Sequence, residues 1–125
     1  MFTIETDSRR RLVIMKLTGM LTVDDVTDLY RREHDAIRAM GCPLGEQLVL
    51  VDVTECPLQL QDIVAAFQRS MDSHAKGKRV AMVTGSSLAR MQVRRIMRRD
   101  ASALFNSRAE ALAWLLDESE ERRAA

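Results

Sequence analysis

The sequence predicts an α/β fold of about five strands and four helices, with an N-terminal antiparallel hairpin followed by parallel strands. Two features carry this expectation. Two β-rich runs, Phe2 to Thr6 and Leu12 to Thr18, flank a polar stretch, Asp7-Ser8-Arg9-Arg10, that can turn the chain back on itself. From Thr22 onward helix and strand patterns alternate with short connections, as in parallel strands joined by right-handed crossovers.

Each element has a local reason. Thr22 opens the first helix with Asp25 three positions on, the spacing of a capping box. Val26, Leu29, Tyr30, Ile37 and Met40 then recur at helical spacing until Gly41 stops it. Gln47 to Val53 is the strongest strand signal. Gln59 to His74 reads as a helix with Leu60, Ile63, Val64, Phe67 and Met71 on a core-facing side. A strand from Arg79 to Thr84 leads into a helix from Ser86 to Arg99. A short strand, Ala103 to Phe105, precedes a last helix capped by Ser107 with Glu110 three on. No repeat or linker interrupts the pattern, so 1–117 is expected to be one domain and 118–125 a fraying tail.

Composition narrows the function. Of 125 residues, 46% are hydrophobic and 30% charged, enough for a core under a polar surface. Nineteen Lys and Arg against eighteen Asp and Glu leave a net charge of +1, too little to hold the whole chain on DNA or on an anionic membrane, so no nucleic acid partner is expected. No apolar run approaches the ~20 residues of a membrane span, and the opening MFTIETDSRRR lacks a signal-peptide pattern. The expected location is cytoplasmic. Cys42 and Cys56 flank the Gln47–Val53 strand, which holds them about 20 Å or more apart, well beyond disulfide reach. They are expected to be free thiols. His34 and His74 are the only histidines and no CxxC spacing occurs, so neither a metal nor another cofactor is expected.

Three segments, LVIMKLTGML (Leu12 to Leu21), LVLVDVTEC (Leu48 to Cys56) and LFNSRAEALAWLL (Leu104 to Leu116), resemble the second strand, third strand and last strand-helix of STAS-like domains. Those domains share their fold with anti-sigma-factor antagonists and CRAL-TRIO domains. The resemblance implies a β-α superhelix and a non-enzymatic role, either partner switching controlled by serine phosphorylation or binding of a small apolar or anionic ligand. The antagonists carry an Asp-Ser-Ser-Gly-like run at the head of the helix after the third strand. Here that stretch reads TECPLQLQD, Thr54 to Asp62, with no serine, and no phosphosite is carried over.

Several groups of residues are candidates for a site. On the helix after Ser86, Ala89, Val93, Ile96 and Met97 form a core-facing stripe. Arg90, Arg94 and Arg98 make one flanking row, and Arg95 with Arg99 a second. The plain reading is a solvated basic face. The functional reading is a homodimer interface, because the first helix carries Asp24, Asp25, Asp28, Glu33 and Asp35 and arginine suits interface ion pairs. Glu33 falls in the middle of the apolar stripe of that first helix. A buried carboxylate is paired or protonated, so it is a proton-transfer group, a ligand anchor, the partner of an arginine, or part of a stripe facing another subunit. Ligands of open α/β sheets favour the carboxyl ends of the strands. Here those ends supply Thr18-Gly19, the Asp52 to Cys56 loop, and Thr84-Gly85-Ser86-Ser87. Thr54, Cys56, Thr84, Gly85, Ser86 and Ser87 are the ligand-binding candidates, with Ser86 also a helix cap.

Together these features predict a binding or regulatory module that acts through protein-protein contact and associates with itself. One alternative is a small-molecule carrier, its lipid-like, apolar or anionic ligand held in the carboxyl-end crevice. The other is a small enzyme using the Asp52 to Cys56 loop.

Overall fold

The computed structural model describes residues 1–73, 77–97 and 101–117. The elements run β1 (Phe2–Asp7), β2 (Leu12–Thr18), α1 (Val23–Ala39), β3 (Leu48–Glu55), α2 (Gln61–Ser73), β4 (Arg79–Val83), α3 (Ser87–Ile96), β5 (Ser102–Phe105) and α4 (Arg108–Leu115). They form a five-stranded sheet in the order β1-β2-β3-β4-β5, antiparallel between β1 and β2 and parallel elsewhere. The α/β architecture, the hairpin and the parallel run are those read from the sequence. The β1–β2 turn closes with Arg11 in the left-handed region (φ 53°), its N–H on the Ser8 carbonyl at 3.3 Å.

Because each parallel strand adds beside the last in one direction, right-handed crossovers carry α1, α2 and α3 to the same face. Val13, Met15, Leu17, Val49, Val51 and Val80 point to that face and meet Val26, Leu29, Ile37 and Ile63. The alternate residues, Leu12, Leu48, Leu50, Ala81 and Val83, meet Ala111 and Leu115 of α4 on the other. Small side chains at Ala81 and Ala111, both fully buried, let α4 sit close on the sheet.

Caps read from spacing are present as bonds. Thr22 and Asp25 complete a capping box: the Asp25 N–H donates to Thr22 Oγ1 at 3.1 Å and the Thr22 N–H to Asp25 Oδ2 at 2.8 Å. At its other end α1 closes with a Schellman motif around Gly41 (φ 72°). The Gly41 N–H donates to the Arg38 carbonyl, and the Cys42 N–H to that of Ile37. Ser86 and Ser107 cap α3 and α4.

Three expectations shift. The third helix ends at Ile96, because Met97 is extended (ψ 106°), rather than at Arg99. α2 begins at Gln61, two residues later than expected. Leu60, read as core, lies before the first turn, accepts the Ile63 and Val64 N–H groups through its carbonyl, and is 62% exposed. Arg98, Arg99, His74 and the expected tail 118–125 lie outside the described residues.

Candidate functional site

At the carboxyl ends of the strands two glutamines tie three segments together. The Gln92 side chain on α3 grips the backbone of Gln59, accepting its N–H at 2.9 Å through Oε1 and donating to its carbonyl at 2.9 Å through Nε2. The Gln59 side chain reaches on to the β2–α1 connection, where Oε1 accepts the Leu21 N–H at 2.8 Å. Its Nε2 donates to the Gly19 carbonyl at 3.1 Å and to Pro57 at 2.9 Å. This clasp replaces the ladder bonds that loop backbone otherwise lacks.

Exposed apolar side chains adjoin the clasp. Leu58 and Leu60 flank Gln59, Met91 adjoins Gln92 with Leu88 one turn before it, and Met20 lies between the two backbone groups that Gln59 holds. All five are about half exposed or more. Large apolar side chains gathered in solvent are the usual mark of an interaction surface.

The predicted ligand-binding residues border this region. Gly85 packs on Thr54, a Cβ at Gly85 lying 3.6 Å from the Thr54 carbonyl oxygen, so the β3 and β4 ends adjoin. Ser86 spends its hydroxyl as the α3 cap, accepting the Ala89 N–H at 3.1 Å, while Ser87 is exposed. Thr84 is buried, and its hydroxyl has no hydrogen-bond partner among the described residues. The sheet order never reverses, so no topological switch point opens a crevice here.

Asp52 is committed to structure. Its Oδ1 accepts the Thr54 N–H (3.0 Å) and hydroxyl (2.7 Å), and its Oδ2 accepts from Arg108 Nε (3.2 Å) and Nη2 (3.1 Å). Burial works to raise its pKa, yet the Thr54 and Arg108 bonds together hold it below the usual carboxylate range. Burial pushes the Cys56 thiol up, leaving it a protonated, weak nucleophile at neutral pH. Among the described residues no three His, Cys, Asp or Glu side chains gather at metal-binding distance.

The predicted interface residues divide. Arg90 donates to Asn106 Oδ1 at 2.8 Å, whereas Arg94 and Arg95 project into solvent with no ion pair among the described residues; Arg98 lies outside them. On α1, Asp28 is engaged by Arg31 and Arg32, and Asp25 by its cap. Asp24 and Asp35 remain without an ion pair among the described residues.

Glu33 turns inward. It lies on the wall of a partly open cavity of about 110 Å³ between the sheet and α1, α2 and α3. Met15, Val51 and Met82 form the floor, Phe67 and Met71 one side, and Val93 with Met97 the other. The α3 stripe read from the helical wheel, Ala89, Val93, Ile96 and Met97, therefore faces this space. The clasp residues Gln59 and Gln92 also line it. Glu33 makes no hydrogen bond or ion pair among the described residues, and desolvation alone pushes its pKa up to about 7.

Sequence reading missed Gln59, Gln92, Arg79 and Arg108. Only Arg79 carried a signal, a cation opening an otherwise apolar strand. It is buried, and it donates to the carbonyls of Trp114 (3.2 Å), Leu115 and Asp117 (3.1 Å) at the end of α4.

No protein-family model matches the chain, and no curated protein matches it in sequence. Solved structures do match. An uncharacterized DUF3478-family protein with a SpoIIAA-like fold from Shewanella loihica PV-4 superposes with a TM-score of 0.67 at 21% identity, over 92% of each chain. The fold is SpoIIAA-like. The anti-sigma factor antagonist SpoIIAA in its unphosphorylated form matches with a TM-score of 0.58 at 15% identity, over 100% of this chain and 99% of that one. Within this SpoIIAA-like frame, the stretch that the STAS resemblance marks for a phosphorylated serine is the Thr54–Asp62 connection. Here it carries Leu58, Gln59 and Leu60, two members of the apolar rim and the centre of the clasp. No described helix is long and apolar enough to cross a membrane.

Proposed function

We propose that this chain is a non-enzymatic interaction module whose partner surface is the apolar rim at the strand carboxyl ends. The observation that carries this reading is the clustering of Met20, Leu58, Leu60, Leu88 and Met91 around the Gln59–Gln92 clasp, which gives an exposed apolar surface a defined shape. The fold shared with an anti-sigma factor antagonist supports a protein partner. The commitment of Asp52 and the protonated Cys56 argue against catalysis in the adjacent loop. Two free thiols suit a reducing, cytoplasmic setting.

A second copy of the chain is the partner whose charges fit. Arg94 and Arg95 stand exposed beside the rim, and Asp24 and Asp35 stand exposed on α1. Native mass spectrometry of the full chain tests this. A dimer that L60D/L88D or R94E/R95E converts to monomer is expected. A monomeric wild type removes self-association from the reading, and a dimer indifferent to both double variants removes this surface.

A second reading, small-molecule binding, is favoured by the cavity behind the rim. In this reading the ligand lies between sheet and helices, with Cys56 on the wall and Thr54 and Thr84 to Ser87 bordering its approach.

A further inference from the structure

We propose that the cavity between the sheet and α1, α2 and α3 takes a small apolar amine, its hydrocarbon part against the methionines and its ammonium group on the Glu33 carboxylate. This rests on the small-molecule reading above and names the ligand class.

The size and lining set the hydrocarbon part. At about 110 Å³ the space is of the order of the ~150 Å³ apolar cavity that takes up benzene in an engineered protein, which allows roughly five to eight non-hydrogen atoms. Met15, Met71, Met82 and Met97 contribute flexible thioethers that can adapt to differing shapes.

The polar groups set the head. Gln59 and Gln92 spend their side chains on loop backbone, and Ser70 and Tyr30 on the wall have interactions of their own. Among the described residues Glu33 has no bonding partner and no cation pairs with it. Tyr30 and Cys56, the other titratable side chains on the wall, are both pushed up by burial and are neutral at pH 8. An anionic ligand would be repelled by Glu33. An alcohol would offer its four lone-pair sites one donor. An ammonium offers up to three donors and the compensating charge.

The methionines make the test specific. Of eight in the chain, Met15, Met71, Met82 and Met97 line the cavity while Met1, Met20, Met40 and Met91 do not. Full-length protein carrying 13C-methyl methionine is titrated at pH 8 with n-butylamine, n-hexylamine and benzylamine, and in parallel with the matching alcohols. The amines are expected to shift the four cavity signals and leave the other four in place. Their binding is expected to be ~10-fold or more tighter than that of the alcohols, a preference that Glu33→Gln abolishes while alcohol binding persists. An unchanged apo methionine spectrum for the variant shows that its fold is kept. If amines and alcohols bind equally, or if Glu33→Gln keeps the preference, the amine assignment falls and the cavity remains a neutral apolar site. If no probe of either set moves the cavity methionines, the small-molecule reading falls with it.

Discussion

On the side of the sheet that α4 covers, the buried charges meet partners, with only Arg79 Nε lacking a hydrogen bond among the described residues. Arg79 neutralises the carbonyl end of α4 and lies 5.7 Å from the Trp114 ring, while Asp52 receives Thr54 on one oxygen and Arg108 on the other. On the side that α1, α2 and α3 cover, Glu33 meets no partner among the described residues and a void lies beside it. The difference follows from packing. Alanines let α4 close on the sheet and bring donors to acceptors. Across the sheet, methionines and Phe67 hold the helices off and leave one acid facing apolar space. Charges on the first side keep the architecture together, whereas the charge on the second costs stability until something is bound to it.

Substitution can break this contrast. The largest effect is expected from Arg79→Met, which leaves the end of α4 without its donors. A loss of about 3 kcal/mol is expected in urea unfolding followed through Trp114, the sole tryptophan. A loss under about 1 kcal/mol would mean that water replaces the guanidinium and that the first side is not matched as described.

Glu33→Leu is expected to act in the opposite direction, raising stability by about 2 kcal/mol at pH 8. The raised pKa fixes the sign. Between about 4.5, its ordinary value, and about 7, the folded protein holds more protons at Glu33 than the unfolded chain. Stability therefore declines as pH rises through that window, and the full penalty, at most about 3 kcal/mol, applies above it. The variant should flatten that slope. A destabilised Glu33→Leu at pH 8 would show that the carboxylate has a partner after all.

Asp52→Asn is expected to cost about 1.5 kcal/mol at pH 7 by weakening the Arg108 pairing. Here the pH dependence is reversed. The depressed Asp52 pKa contributes stability that is complete above the ordinary value of 3.8 and is lost as pH falls through the folded value below it. Acid titration of wild type and variant side by side checks this.

The smallest change is expected from Gln92→Ala, about 1 kcal/mol, because the Gln59 backbone it grips is near solvent. Amide exchange at Gln59 should quicken while that at Val49 and Leu50 does not.

How much was legible beforehand depended on the distance over which each interaction closes. The Thr22–Asp25 box, the Ser86 and Ser107 caps and the Gly41 stop were readable because their bonds join residues within one or two helical turns. The α3 stripe was readable for the same reason, since Ala89, Val93, Ile96 and Met97 share a side by periodicity alone. Glu33 was recognisable as an acid on an apolar stripe. Its neighbours were not, because they come from α2, α3 and three strands. Gln59 was misread as the first turn of α2 because nothing local distinguishes a glutamine in a helix from one that bridges loops. Its partners, Gly19 and Gln92, lie 40 and 33 residues away. Leu60 was misread as core since its spacing matched the stripe one turn too early.

Alone, the sequence determined which segments are strands and which are helices, where α1, α3 and α4 start, and that the strands run parallel after one hairpin. These depend on propensity, period and bonds between near neighbours in the chain. Only the tertiary structure decided that Asp52 binds Arg108, 56 residues on, that Arg79 closes α4, that leucines ring a glutamine clasp, and that Glu33 borders a cavity. Each of these depends on how far the helices stand from the sheet, a distance set by side-chain volumes from several elements at once.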